Sequence, residues 1–106
     1  MNGCAFCLRL HVADALAGGE QRDRLAVLSA WRETGYFEPV ERAALALVEA
    51  VTDIPSLPER SADRAAAEKV LTAEQISAVT WAAIAMNTFN RIAISSSYIV
   101  APGVRR

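Results

Sequence analysis

Apolar side chains recur with a period near 3.6 along most of the chain, and no stretch alternates apolar and polar residues as a half-buried strand does. The pattern predicts an all-α protein of about five helices. The first spans residues 2 or 3 to 18, with Val12, Ala15 and Leu16 continuing its buried face, Arg9 and Asp14 in solvent, and Gly18-Gly19 as its stop. A second is expected over 20–33, where Leu25, Leu28 and Trp31 repeat at helical spacing before Thr34-Gly35 ends it. Tyr36 and Phe37 form an aromatic connector. Glu38-Pro39 then opens a third helix, with proline in its favoured first turn. Along it Val40, Ala44, Leu47, Val48 and Val51 make one stripe, while Glu41, Arg42 and Glu49 read as solvated or salt-bridged groups.

Residues 53–58 read as a two-proline loop, followed by a weak, alanine-rich helix over 61–70. Thr72-Ala73-Glu74-Gln75 has the form of a capping box and starts the longest helix. From 76 to about 93 that helix is apolar nearly all round, through Val79, Trp81, Ala83, Ile84, Met86, Phe89 and Ile92, which suits an element packed on several sides. Asn87 and Asn90 fall on its Ile76/Val79/Ala83 face. Amides at such positions need hydrogen-bond partners, and a clamp onto neighbouring backbone is the favoured reading over contact with substrate. Residues 95–106 read as a loose tail.

The chemistry concentrates at the other end. Both cysteines and the single histidine lie within Cys4-Ala5-Phe6-Cys7-Leu8-Arg9-Leu10-His11. At about 100° per residue, Cys7 lies roughly 60° and His11 roughly 20° from Cys4 around a helix, so the three share one stripe. A C-x-x-C pair in a first helical turn puts two sulfurs within disulfide reach, and the free N–H groups and positive dipole end of that turn favour thiolate. His11, one turn beyond Cys7, can exchange a proton with it. Helix position alone would make Cys4 the more acidic thiol. The i+4 histidine favours Cys7 as attacking nucleophile, and that assignment is preferred because a base within reach assists both attack and departure.

Other uses of these residues fare worse. A structural zinc site usually takes four ligands, and the chain has no further Cys or His. Haem attachment needs histidine directly after the second cysteine, where Leu8 stands instead. A purely structural disulfide would close a very short loop and stabilise little. No zinc or haem cofactor is therefore expected.

Composition adds three constraints. At 106 residues the chain fits one domain with a modest core, yet 53% of it is hydrophobic, more than such a domain can hide, which points to a homo-oligomer. A net charge of −1 gives nucleic acid nothing to bind. No apolar run reaches the length of a membrane span and the first ten residues do not form a signal peptide, so a cytoplasmic location is expected. In that reducing setting a C-x-x-C is more often redox-active than structural.

Four blocks together carry a resemblance: Asn2-Gly3-Cys4-Ala5-Phe6-Cys7-Leu8-Arg9-Leu10-His11, Leu28-Ser29-Ala30-Trp31-Arg32-Glu33-Thr34, Glu41-Arg42-Ala43-Ala44-Leu45-Ala46-Leu47 and Asn87-Thr88-Phe89-Asn90-Arg91. In order and spacing they resemble the AhpD-like alkylhydroperoxidase core of the carboxymuconolactone decarboxylase superfamily. The resemblance implies an all-α bundle, assembly into trimers or hexamers, and thiol-dependent reduction of organic hydroperoxides or disulfides without flavin or metal, with electrons from a lipoyl- or thioredoxin-like dithiol. It also implies roles: Cys7 attacks the peroxide, Cys4 resolves the sulfenic acid, and His11 relays protons. The family's upstream helices, and a glutamate on them that completes the relay, would precede Met1, so the single domain is expected to be incomplete at its N-terminus. A general thiol oxidoreductase and a non-enzymatic redox-sensing or assembly module are the alternative readings. The namesake decarboxylation fits least, since lactone chemistry does not explain C-x-x-C-x-x-x-H.

Overall fold

The computed structural model describes residues 1–103. Five α-helices follow one another, α1 (Ala5–Ala17), α2 (Arg22–Val27), α3 (Pro39–Asp53), α4 (Leu57–Glu68) and α5 (Ala73–Ser95), with a 3-10 helix, Leu28–Glu33, between α2 and α3. No strand occurs among the described residues, and the chain is all-α as its periodicity predicts.

Two helix starts fall where the sequence puts them. Thr72 Oγ1 accepts the Gln75 N–H at 3.1 Å and Gln75 Oε1 accepts the Thr72 N–H at 2.9 Å, starting α5. Glu38 and Glu41 form the same reciprocal cap on α3, with Pro39 in the first turn. The supposed two-proline loop is shorter than expected. Ser56 and Glu59 make a third capping box, so Pro58 enters the first turn of α4 and the helix starts at Leu57.

The predicted second helix is broken. Ala30 has non-helical angles (φ −119°, ψ 35°), and the chain tightens into the 3-10 helix. From α3 the Arg42 guanidinium donates to the carbonyls of Trp31 at 3.2 Å, Arg32 at 3.2 Å and Thr34 at 3.1 Å, satisfying acceptors where this segment ends. The Trp31 indole N–H donates to Glu49 at 2.9 Å, and Glu49 also pairs with Arg32. Trp31 is thus buried against two guanidiniums, 4.2 and 5.1 Å from its ring centre.

Two separate clusters make up the interior. Leu47, Ala67, Leu71 and Ile76, with Ala43 and Val79 against them, join α3, α4 and the start of α5. At the far end of α5, Ala93 packs against Cys4 and Cys7. Between them α5 is not enclosed as expected: Trp81 is 68% and Phe89 61% exposed, with Ile84, Ile92 and Ile94 also bare. On α1, Leu8, Leu10 and Val12 face solvent, so Val12 does not continue a buried face; Val40 on α3 is exposed as well. The radius of gyration is 15.4 Å, against about 13 Å for a compact chain of this length.

Residues 96–101 are not a loose tail. The Tyr98 N–H returns to the Ala93 carbonyl at 3.0 Å, the Tyr98 ring meets Phe6 edge-on at 5.3 Å, and Arg9 donates to the Ala101 carbonyl at 3.0 Å. Residues 104–106 of the predicted tail lie outside the described residues. Among the described residues no helix is long and apolar enough to cross a membrane.

Candidate active site

Gly3 turns the chain at φ +64°, a conformation that costs glycine nothing. Cys4 follows in extended geometry (φ −87°, ψ 101°) as the N-cap of α1, so the helix begins at Ala5 and not at residue 2 or 3. Its carbonyl accepts the Leu8 N–H at 2.9 Å, and its Sγ accepts the Cys7 N–H at 3.2 Å. A cysteine therefore fills the place usually taken by Ser, Asp or Asn.

Cys7 lies in the first turn, and its sulfur is bonded to that of Cys4 across a Cα–Cα distance of 5.3 Å, well inside the range a disulfide spans. Both residues are nearly covered, 5% and 7% exposed. The wall over them is Ala93, a side chain too small to crowd two sulfurs. The sulfurs thus sit at a helix N-terminus where free N–H groups and the dipole favour negative charge. In this first turn the hydrogen bond to sulfur goes to Cys4, the thiol that helix position singles out.

His11 lies one turn beyond Cys7, and its side chain is exposed. Helical side chains lean toward the N-terminus, so an i+4 imidazole leans toward the turn that carries Cys7. Among the described residues no hydrogen bond fixes the ring. Cys4 and Cys7 are buried and locked together at the start of α1, while His11 is exposed at the middle of that helix.

Three further residues belong to this end of the molecule. The Asn2 side chain donates to Asn87 Oδ1 at 2.7 Å and to Asn90 Oδ1 at 3.0 Å. Asn87 in turn donates to Thr52 Oγ1 at 3.0 Å and to the Ala83 carbonyl at 2.9 Å, while Arg91 donates to Asn87 Oδ1 at 2.9 Å. The amides on α5 are a clamp, as their position suggests, but they grip a side chain rather than backbone. Asn2 escaped prediction because its partners are 85 and 88 residues away; the available signal was two half-buried amides on α5 that needed a donor.

A second polar cluster lies apart from the sulfurs. Arg24 pairs with Glu20 and Glu41 and donates to the Tyr36 carbonyl, beside a cleft of about 280 Å³ walled by Leu25, Leu28 and Phe37. The hydrogen bond from Arg24 holds the Glu41 carboxyl below its ordinary range, and Glu41 raises Arg24 in return. These charges satisfy one another.

Comparison with known proteins agrees with this geometry. Residues 1–50 match the model of the carboxymuconolactone decarboxylase family. Over 56 residues, 53% of the chain, the sequence is 50% identical to the uncharacterized protein YdfG of Bacillus subtilis (strain 168), and the match spans 38% of that protein's length. A crystal structure from Agrobacterium tumefaciens superposes with a TM-score of 0.88 at 32% identity, covering 96% of this chain and 70% of the other. That protein is described as one of unknown function and a candidate AhpD antioxidant defence protein. With the disulfide-bearing first turn, the five-helix order and these matches in agreement, the chain belongs to the carboxymuconolactone decarboxylase family as a member with an AhpD-like core.

Proposed function

We propose that the protein is a thiol-dependent alkylhydroperoxidase that cycles the Cys4–Cys7 pair between dithiol and disulfide. The observation that carries this reading is the disulfide itself, formed in the first turn of α1 between residues three apart. So short a loop adds little to stability, so its value lies in being made and broken. In the forward step the Cys7 thiolate attacks the terminal oxygen of an organic hydroperoxide. The O–O bond breaks, the alkoxide leaves with a proton from His11 as alcohol, and Cys7 becomes a sulfenic acid. The Cys4 thiolate then attacks the Cys7 sulfur, expelling hydroxide that takes up a proton as water, and the disulfide closes. A dithiol of lipoyl or thioredoxin type returns two electrons and two protons by exchange.

The hydrogen bond from the Cys7 N–H to Cys4 Sγ supports a second reading, a thiol–disulfide oxidoreductase in which Cys4 is the attacking thiolate. Trapping separates the two. With Cys4→Ser, a carbon nucleophile should capture one sulfenic acid at Cys7 after peroxide, and Cys7→Ser should give none. Capture at Cys4 in the Cys7→Ser protein would reverse the roles and favour the second reading.

The bare apolar faces of α1 and α5 suit burial against further copies of the chain in a trimer or hexamer. A cytoplasmic setting, where donor dithiols are kept reduced, completes the reading.

A further inference from the structure

A side chain two residues ahead of Cys4 ties the chain to α5. Asn2 has a single amide nitrogen with two protons, and both are used, one on Asn87 Oδ1 and one on Asn90 Oδ1. The direction of these bonds is forced. The Ala83 carbonyl can only accept, so Asn87 must turn its nitrogen toward it and its oxygen toward Asn2 and Arg91. Asn2 must then present nitrogen. Because Asn87 also donates to Thr52 on α3, the segment leading to Cys4 is fixed to two helices at once.

Only Gly3 separates this anchor from Cys4, and Gly3 holds a positive φ with no side chain of its own to pack. The anchor supplies two side-chain hydrogen bonds to α5 within two residues of Cys4. With it, the Cys4 thiol stays beside Cys7 even when the pair is reduced. Closing the disulfide then orders less chain than it otherwise would, and the oxidised form is favoured.

We infer that Asn87 and Asn90, acting through Asn2, are positioning residues that set the reduction potential of the Cys4–Cys7 pair. The inference rests on the redox reading of that pair and says nothing of which oxidant it meets. The clamp works by preorganisation. It makes no contact with a substrate, and its removal raises the potential, so that the pair becomes easier to reduce.

The test equilibrates the 106-residue protein with glutathione buffers of known ratio and counts free thiols by alkylation and mass spectrometry. Asn2→Ala should lower the equilibrium constant for disulfide formation by about tenfold, which at about 30 mV per decade raises the potential by about 30 mV. Asn90→Leu, which keeps the size but removes one acceptor, should shift it in the same direction by about threefold, or about 14 mV. Asn90→Asp keeps an oxygen for Asn2 and should restore the wild-type value, an outcome that loss of packing alone would not produce. Ile76→Val, in the other buried cluster, should lower stability and leave the potential alone. The Asn90 pair decides the matter if Asn2→Ala does not fold. A wild-type couple unmoved by Asn90→Leu, or moved equally by Ile76→Val, overturns the clamp and leaves the redox reading standing. A wild-type protein with no two-electron couple removes both.

Discussion

The two ends of α5 are built by different means. At its start, Ile76 joins Leu47, Ala67 and Leu71 in a cluster of aliphatic side chains beside the local cap at Thr72. At its end, Ala93 meets two cysteines, and what holds the parts together is polar or covalent: the Asn2 clamp, the disulfide, and the Arg9 bond to the tail. Around that second end the apolar side chains Leu8, Leu10, Phe89 and Ile92 are left bare. The first end buries four aliphatic side chains against one another, although Ile54, Leu57 and Val70 nearby stay exposed. The second relies on directional bonds to place two sulfurs. A region whose chemistry needs reversible covalent change gains from this, since a bond can be broken without unpacking a core.

The contrast predicts that mutations at the two ends fail in different ways. The largest expected effect is chemical. His11→Gln keeps size and polarity but removes a base, and peroxide-driven oxidation near neutral pH should slow by about 10²- to 10⁴-fold, recovering in part as the pH rises toward the thiols' own range. Melting should hardly change, because His11 is exposed. A rate within twofold of wild type would remove His11 from the relay.

At the aliphatic end the consequence reverses. Leu47→Ala should cost about 2–5 kcal/mol in denaturant unfolding while leaving the glutathione equilibrium of the cysteines where it was. Reducing the disulfide should cost less, at most about 2 kcal/mol for so short a loop. Equal losses from the two changes would erase the distinction between the ends.

Light scattering sharpens the comparison at its weakest point. With Trp81 and Phe89 bare on one helix, the chain should associate at micromolar concentration, and Phe89→Glu should shift it toward monomer without loss of helicity. A stable monomer in the wild type would mean that these side chains are tolerated in solvent.

How far the sequence revealed this arrangement follows the same line. The cap at Thr72 and the helix start at Glu38-Pro39 were legible because every participant lies within four residues, although the equally local Ser56–Glu59 box was read as loop. The C-x-x-C was legible as a redox pair because its spacing alone brings the sulfurs together. The break after Val27 has no counterpart in the local pattern, and Arg42, whose guanidinium holds the carbonyls that follow it, lies on another helix. The Asn2 clamp was hidden for the same reason, across 85 residues. Periodicity also misjudged α5, because an apolar pattern records side-chain character and not which positions the rest of the chain covers.

The central claim is that the Cys4–Cys7 pair turns over. Consumption of an organic hydroperoxide, coupled to a dithiol reductant and followed over many equivalents of protein, tests it most directly. Repeated turnover by the wild type, none by Cys7→Ser, and a single equivalent by Cys4→Ser is the expected result. Consumption that stops at one equivalent in the wild type despite excess reductant, or that continues unchanged in Cys7→Ser, would contradict it.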